Sequence, residues 1–150
     1  NLALKSDPGV YEFLNYKYKK NKPLTLNVLK KAGYVLSSVP LHFKNDFSLV
    51  KAAIKQDPSS IKYASKRLKN NIELAMIAIN LDGSTYQYLG KNLQNNLKIA
   101  TAALSNDISI YDNIPMHIKK TSRVSNILRN YKMVNKKFKR GRFPASIIEE

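Results

Sequence analysis

Cysteine is absent from all 150 residues, so neither disulfides nor thiolate-held zinc brace this chain. Acidic residues are scarce, ten Asp and Glu against 26 Lys and Arg, for a net charge of +16. No stretch approaches the roughly 18 uninterrupted apolar residues of a membrane-spanning helix. The start carries no secretory pattern. Period-two alternation and β-branched runs are missing nearly everywhere, so strand content is expected to be close to nil. Of the five glycines, Gly83 and Gly90 make no phosphate loop, because no strand precedes them and no Gly-Lys-Ser/Thr follows.

What the chain does have is a grammar that returns every 25 residues, clearest in the segments that begin at Phe43, Leu68 and Leu93. The first slot of each unit holds Tyr18, Phe43, Leu68, Leu93 and Ile118. The seventh holds Leu24, Leu49, Leu74, Ile99 and Val124. The eleventh is Ala3, Val28, Ala53, Ala78 and Ala103, and the twelfth is Leu4, Leu29, Ile54, Ile79 and Leu104. Small residues beside large ones at fixed places let neighbouring helices approach closely. The expected fold is therefore all-α, an α-solenoid-like array of 25-residue two-helix repeats. Its bounds are 1–117, with units near 18, 43, 68 and 93 and a partial unit at 1–17. Asn1 falls inside a unit and no Met starts the chain, as expected of a fragment or a processed product.

Each unit is expected to hold two short helices. Asn21, Asp46, Asn71, Asn96 and Thr121 stand where a side chain can accept a backbone N–H at the first helix start. Asp7, Asp57, Asp82 and Asp107 stand before the second, twice followed by Pro. In the unit at 18 Ala32 replaces that Asp. Pro40 is expected to interrupt the second helix, and Pro115 likewise. From Thr121 or Ser122 a longer amphipathic helix should carry Val124, Ile127, Leu128, Tyr131, Val134 and Phe138 within an arc of about 120°. This basic capping helix is assigned to 118–143, ended by Gly141 and Pro144, and 144–150 is a tail.

The segment 49–96 resembles a tandem-repeat family designated domain of unknown function four-one-one-six. The resemblance rests on Val50, Ala52, Ala53, Ile54, Asp57, Ile61, Tyr63, Ala64, Ser65, Leu68, Leu74, Ala78, Ile79, Asp82 and Gly83. The chain departs at the family's Gly-Leu-Ala-Leu signature, reading PSSI at 58–61 and GSTY at 83–86. Repeats of this kind occur in bacterial, protist and large-virus proteins, some of them secreted effectors. The resemblance implies no activity, cofactor or ligand set.

Charge is uneven: +5 over residues 1–42, +3 over 43–112 and +8 over 113–150. The sharpest basic run is KKFKRGR, and the candidate anionic contact is Lys136, Lys137, Lys139, Arg140 and Arg142, with Lys132 and Arg129. A second cluster is Lys17, Lys19, Lys20 and Lys22, beside Tyr16 and Tyr18 as candidate stacking residues. His42 and His117 lie three units apart and are read as surface or inter-repeat residues rather than metal ligands. The repeated Asp residues are read as caps, and Tyr11, Tyr86 and Tyr111, which share one slot, as packing residues.

These observations point to a non-enzymatic interaction module with no cofactor or metal. A protein is the favoured partner, with an accessory anionic contact from the basic C-terminal helix. The alternative is a nucleic-acid or nucleoprotein-associated protein in which the two basic clusters form one edge. A soluble chain is expected, cytoplasmic in type or delivered into a host cytoplasm.

Overall fold

The computed structural model describes residues 6–138, with side chains to 134. No strand occurs among the described residues. The sequence repeat is a repeat in space, but each unit holds three segments rather than two. A one-turn helix comes first: α1 (Tyr16–Lys19), α3 (Leu41–Lys44), α6 (Lys91–Gln94) and α8 (Met116–Lys119), with a 3₁₀ turn at Leu68–Asn70 in the unit between. A longer helix follows: α2 (Lys22–Leu29), α4 (Phe47–Gln56), α5 (Ile72–Leu81), α7 (Leu97–Asn106) and α9 (Ser122–Phe138). The third segment is a 3₁₀ helix over Pro8–Phe13, Gly33–Ser38, Pro58–Tyr63, Gly83–Tyr88 and Ile108–Asn113. A buried residue in it and the residue that caps its end sit three apart, as in Tyr11 and Leu14 or Tyr86 and Leu89. At three residues per turn these align on one side.

Long helices pack side by side in the order α2, α4, α5, α7, α9, and the 3₁₀ helices stack in a parallel row behind them. The core lies between the two rows. Its repeating members are Val28, Ala53, Ala78 and Ala103 at the eleventh slot and Leu29, Ile54, Ile79 and Leu104 at the twelfth, all buried. Leu49, Leu74, Ile99 and Val124 join them from the seventh. Each large side chain removed from water contributes about 1.5–3 kcal/mol, but only against the next unit. Phe43, Leu68, Leu93 and Ile118 are buried at the first slot, whereas Tyr18 in the same slot is 58% exposed. Ala3 and Leu4 lie outside the described residues.

The caps explain where each segment starts. Asn21, Asp46, Asn71 and Asn96 accept backbone N–H groups at the starts of α2, α4, α5 and α7. Asp7, Asp57, Asp82 and Asp107 each accept the N–H two residues on, from Gly9, Ser59, Ser84 and Ser109. Such a cap contributes about 1 kcal/mol. Ala32 makes no such bond. Thr121 turns its hydroxyl back to the Ile118 carbonyl at 2.7 Å.

Pro40 and Pro115 do not interrupt a helix. Each is the extended residue (φ −54° and −57°) that opens the next one-turn helix, a place where a missing N–H costs little. At the same slot Ser65 and Gly90 do have an N–H, and they donate it to the carbonyls of Lys44 and Lys69, each at 2.8 Å. On α9, Val124 is buried and Ile127, Leu128 and Tyr131 pack partly against the core. Val134, expected on that face, is 54% exposed. The side chain of Phe138, and Gly141 and Pro144 altogether, lie outside the described residues.

Candidate interaction surfaces

The long helices bury slots seven, eight, eleven and twelve and turn slots six, nine, ten and thirteen outward. At 100° per residue those four fall within about 100° of arc. Along the row this outward face changes character. On α5 it is mixed: exposed Glu73 and Asn80 hold slots six and thirteen, half-buried Met76 and Ile77 hold slots nine and ten, and Ile72 and Leu81, 59% and 54% exposed, flank it at slots five and fourteen. On either side it is cationic, with Lys51 and Lys55 on α4 and Lys98 on α7, then Lys30 and Lys31 just past the end of α2 and Arg123 on α9. Lys51 Nζ pairs with Glu73 Oε1 at 2.6 Å, from α4 to α5. Two open grooves lie near the ends of the face. One, of about 450 Å³, runs between α2 and α4 over Leu26, Lys30, Lys51, Ala52 and Lys55. The other, of about 430 Å³, runs between α7 and α9 over Lys98, Thr101, Ala102, Arg123 and Ile127.

The two basic clusters read from the sequence stand at opposite ends of the row. In the first, Lys17 is exposed, while the other three are engaged. Lys19 Nζ donates to the Glu12 carbonyl at 2.7 Å, Lys20 Nζ lies 4.7 Å from the Tyr16 ring centroid, and Lys22 Nζ meets Asp46 Oδ2 at 2.6 Å. Tyr16 and Tyr18 are more than half exposed. In the second cluster Arg129 and Lys132 are exposed on α9. Lys136 and Lys137 sit on the same helix with side chains outside the described set, and Lys139, Arg140 and Arg142 lie outside the described residues altogether.

Between these ends the sequence reading missed a feature that only the register exposes. The corner from the end of each 3₁₀ helix through the one-turn helix contains no Asp or Glu in any unit: 13–20, 38–45, 63–70, 88–95 and 113–120. The same five stretches carry ten Lys and Arg. The second slot is a structural one. Lys19, Lys44 and Lys119 each donate to the carbonyl seven residues back, on Glu12, Ser37 and Asp112, and Gln94 does the same to Gln87. These donors close the open end of the preceding 3₁₀ helix. Slots twenty-four and twenty-five hold Lys17, His42, Lys66 with Arg67, Lys91 and His117, all exposed. Arg67 is tied to the previous corner, its guanidinium donating to Asn45 Oδ1 and to the Asn45 carbonyl, both at 2.9 Å.

Apart from the Asn70 amide oxygen, the buried side-chain polar groups among the described residues are satisfied locally. Tyr11 shares a hydrogen bond with Thr25 Oγ1 at 2.8 Å and donates to the Lys19 carbonyl. Burial pushes its phenol up, against the lowering effect of the Thr25 bond, and burial pushes Tyr86 up to about 12. Ser60 donates to Asp57 Oδ2 and Thr85 to the Asp82 carbonyl. Each is spent on holding a turn, as the packing reading of the tyrosines expected. His42 lies against Phe43, ring centroids 4.3 Å apart. Among the described residues no three His, Asp or Glu converge as metal ligands would, and no helix is long and apolar enough to cross a membrane.

Three overlapping stretches, residues 24–69, 46–94 and 71–119, match the model of a family described as Domain of unknown function (DUF4116). Each stretch covers about two units. No curated protein and no solved structure matches the chain.

Proposed function

We propose that this chain, which belongs to the DUF4116 family, is a non-enzymatic helical-repeat module that binds a protein across the outward face of its long helices. The observation that carries this reading is the set of apolar side chains exposed on and beside that face at α5, the middle helix of the row. A row of helices needs apolar residues on one side only, yet α5 also carries Met76 and Ile77 outward beside Glu73 and Asn80, with Ile72 and Leu81 at the flanks. Met76 and Ile77 pack only partly against the core, and Ile72 and Leu81 leave more than half of their surface exposed. Apolar residues at the middle of a patch with a charged rim are the usual anatomy of a protein interface. The cations on both flanks would orient a partner and speed its encounter. The basic C-terminal helix would add an anionic contact.

The test is a photo-crosslinker at Met76 of the full chain, with a second at Tyr34 on the 3₁₀ row, exposed to cell extract. A discrete protein adduct is expected at Met76, lost in the Ile72→Lys/Leu81→Lys variant, with the isolated partner then binding the wild type in a direct titration. Either of two results overturns the reading: no adduct above the photolysed control, or a dimer of this chain joined through that face in sedimentation.

A further inference from the structure

We infer that the acid-free corner of the array is a second binding site, one that holds a single-stranded nucleic acid along its phosphate backbone. It lies on a different surface from the long-helix face and stands whether or not that face binds a protein. The first argument is charge. In every described unit the segment around the one-turn helix excludes acidic residues, and of the eight described acids only Glu12, Asp46 and Asp112 adjoin it. Asp7, Asp57, Asp82 and Asp107 cap 3₁₀ helices, and Asp46 and Glu73 are in ion pairs. An edge with ten Lys and Arg over five consecutive units, and with Glu12 and Asp112 adjoining only its two ends, attracts a polyanion and releases its counterions.

The second argument is spacing. Packed helices lie about 9 Å apart, so equivalent corner positions recur at that interval along the row. A stacked strand rises about 3.4 Å per nucleotide, so each unit meets two to three phosphates. Lys66, Arg67 and Lys91 then bridge the Lys17–Lys20 end to the Lys119–Lys120 end. Neither basic cluster read from the sequence spans that distance alone.

The third argument chooses among polyanions. At one end of the edge Tyr16 and Tyr18 expose more than half of their surface, and the Lys20 ammonium lies over the Tyr16 ring. Exposed tyrosines beside cations are stacking platforms for unpaired bases. Interleaving of such rings with ammonium groups matches the alternation of bases and phosphates along a single strand. The arrangement offers no set of donors and acceptors for a base code, so binding should be indifferent to sequence.

The experiment titrates the full chain with a fluorescent single strand of mixed sequence, about 20 nucleotides long to cover the edge, at several salt concentrations. The variant Lys17→Gln/Lys66→Gln/Lys91→Gln/Lys120→Gln removes four exposed edge charges. The control Lys30→Gln/Lys31→Gln/Lys55→Gln/Lys98→Gln removes four from the long-helix face. The edge variant should weaken binding at least about tenfold and flatten the log K against log salt slope by about 3. The control should change affinity by less than about threefold. Tyr16→Ala/Tyr18→Ala should weaken the single strand and leave a duplex of the same length unaffected. Circular dichroism verifies that each variant keeps its helices.

Equal losses in the edge and control variants would reduce the effect to net charge and overturn the proposal. No binding at low salt does so as well. Loss only when Lys136, Lys137, Lys139, Arg140 and Arg142 are changed to Gln would assign the contact to the C-terminus instead. Tighter edge-dependent binding of poly-glutamate, or of phosphatidylserine vesicles, than of the oligonucleotide would replace nucleic acid with an acidic protein or a membrane.

Discussion

The phenol of Tyr86 donates to the backbone carbonyl of Gln94, and the Gln94 side-chain amide donates back to the Tyr86 carbonyl at 3.3 Å. The pair ties the 3₁₀ helix of one unit to the one-turn helix of the next. Tyr11 makes the equivalent bond to the Lys19 carbonyl, also eight residues on. Leu36 and Ile61 hold this slot in the two units between, and they fill the space without the bond.

Tyr86→Phe keeps the ring and deletes only the hydroxyl. The Gln94 carbonyl would then lose a partner in a part-buried site, which costs about 1–2 kcal/mol. Urea denaturation followed by circular dichroism should show a lower midpoint with an unchanged slope. An unchanged midpoint would mean that water replaces the phenol.

Gly33 and Gly83 stand where successive units come closest. A Cβ on Gly83 would lie 2.7 Å from the Ala103 carbonyl and 2.8 Å from Asp107 Cβ. The Gly83 N–H donates to Asn106 Oδ1 at 2.8 Å, and the Gly33 N–H donates to Gln56 Oε1. At the interface between them the equivalent residues are Pro58 and Leu81, which offer neither donor nor acceptor. The junctions therefore alternate between a polar, close pairing and an apolar one. Gly83→Ala is expected to destabilise by about 1–3 kcal/mol, because the obstacle is backbone. Gly9→Ala, whose new Cβ would meet only the Asp7 and Tyr34 side-chain tips at 3.0 Å and 3.3 Å, should stay within about 0.5 kcal/mol. Equal effects would show that the stack simply widens.

Asn70 has a buried amide oxygen with no hydrogen-bond partner, directly beside Gly90. One unit earlier Ser65 Oγ donates to Asn45 Oδ1 at 2.7 Å in the same two slots. Gly90→Ser should supply the missing donor, provided the Asn70 side chain shifts to the position Asn45 takes. The expected gain is about 1 kcal/mol from satisfying the oxygen and from a stiffer unfolded chain. A loss would show that Asn70 is held by its bond to the Lys66 carbonyl and cannot move.

The parts of this fold legible in the sequence were those fixed by burial and by capping chemistry. Ala53, Ala78 and Ala103 beside Ile54, Ile79 and Leu104 could hardly sit anywhere but between helices. Asn71 and Asp82 announced helix starts because their side chains reach a free N–H within three residues. What stayed hidden depended on degeneracy or on distance. Apolar residues three apart suit an α-helix and a 3₁₀ helix alike, so the third segment looked like a short α-helix. Pro40 looked like a breaker because its role as an opener depends on the turn after it. Lys19 was counted as a surface charge although it closes a carbonyl seven residues back. The acid-free corner was present in the letters from the start, but it becomes a surface only when five separate stretches are laid side by side.

Asp46 gives the array a titratable joint between α2 and α4. Burial alone would raise its carboxyl, but hydrogen bonds from Lys22, Ser48 and the Leu49 N–H outweigh that and hold it at about 2, below the roughly 3.9 of an unfolded Asp. A lowered carboxyl stabilises the fold fully above about pH 4, and that contribution is lost as pH falls towards 2. Asp46→Asn keeps an acceptor for the Ser48 and Leu49 N–H groups but gives up the charge facing Lys22. Because Lys22 is half exposed, solvent screening leaves the pair worth about 1 kcal/mol. The variant should therefore be less stable than the wild type at neutral pH, and the gap should close between about pH 4 and pH 2. Every other acidic residue is the same in both proteins, so the difference isolates this one group. Urea midpoints measured across that range at low salt provide the check, and parallel curves would show that Lys22 contributes nothing to holding the first two long helices together.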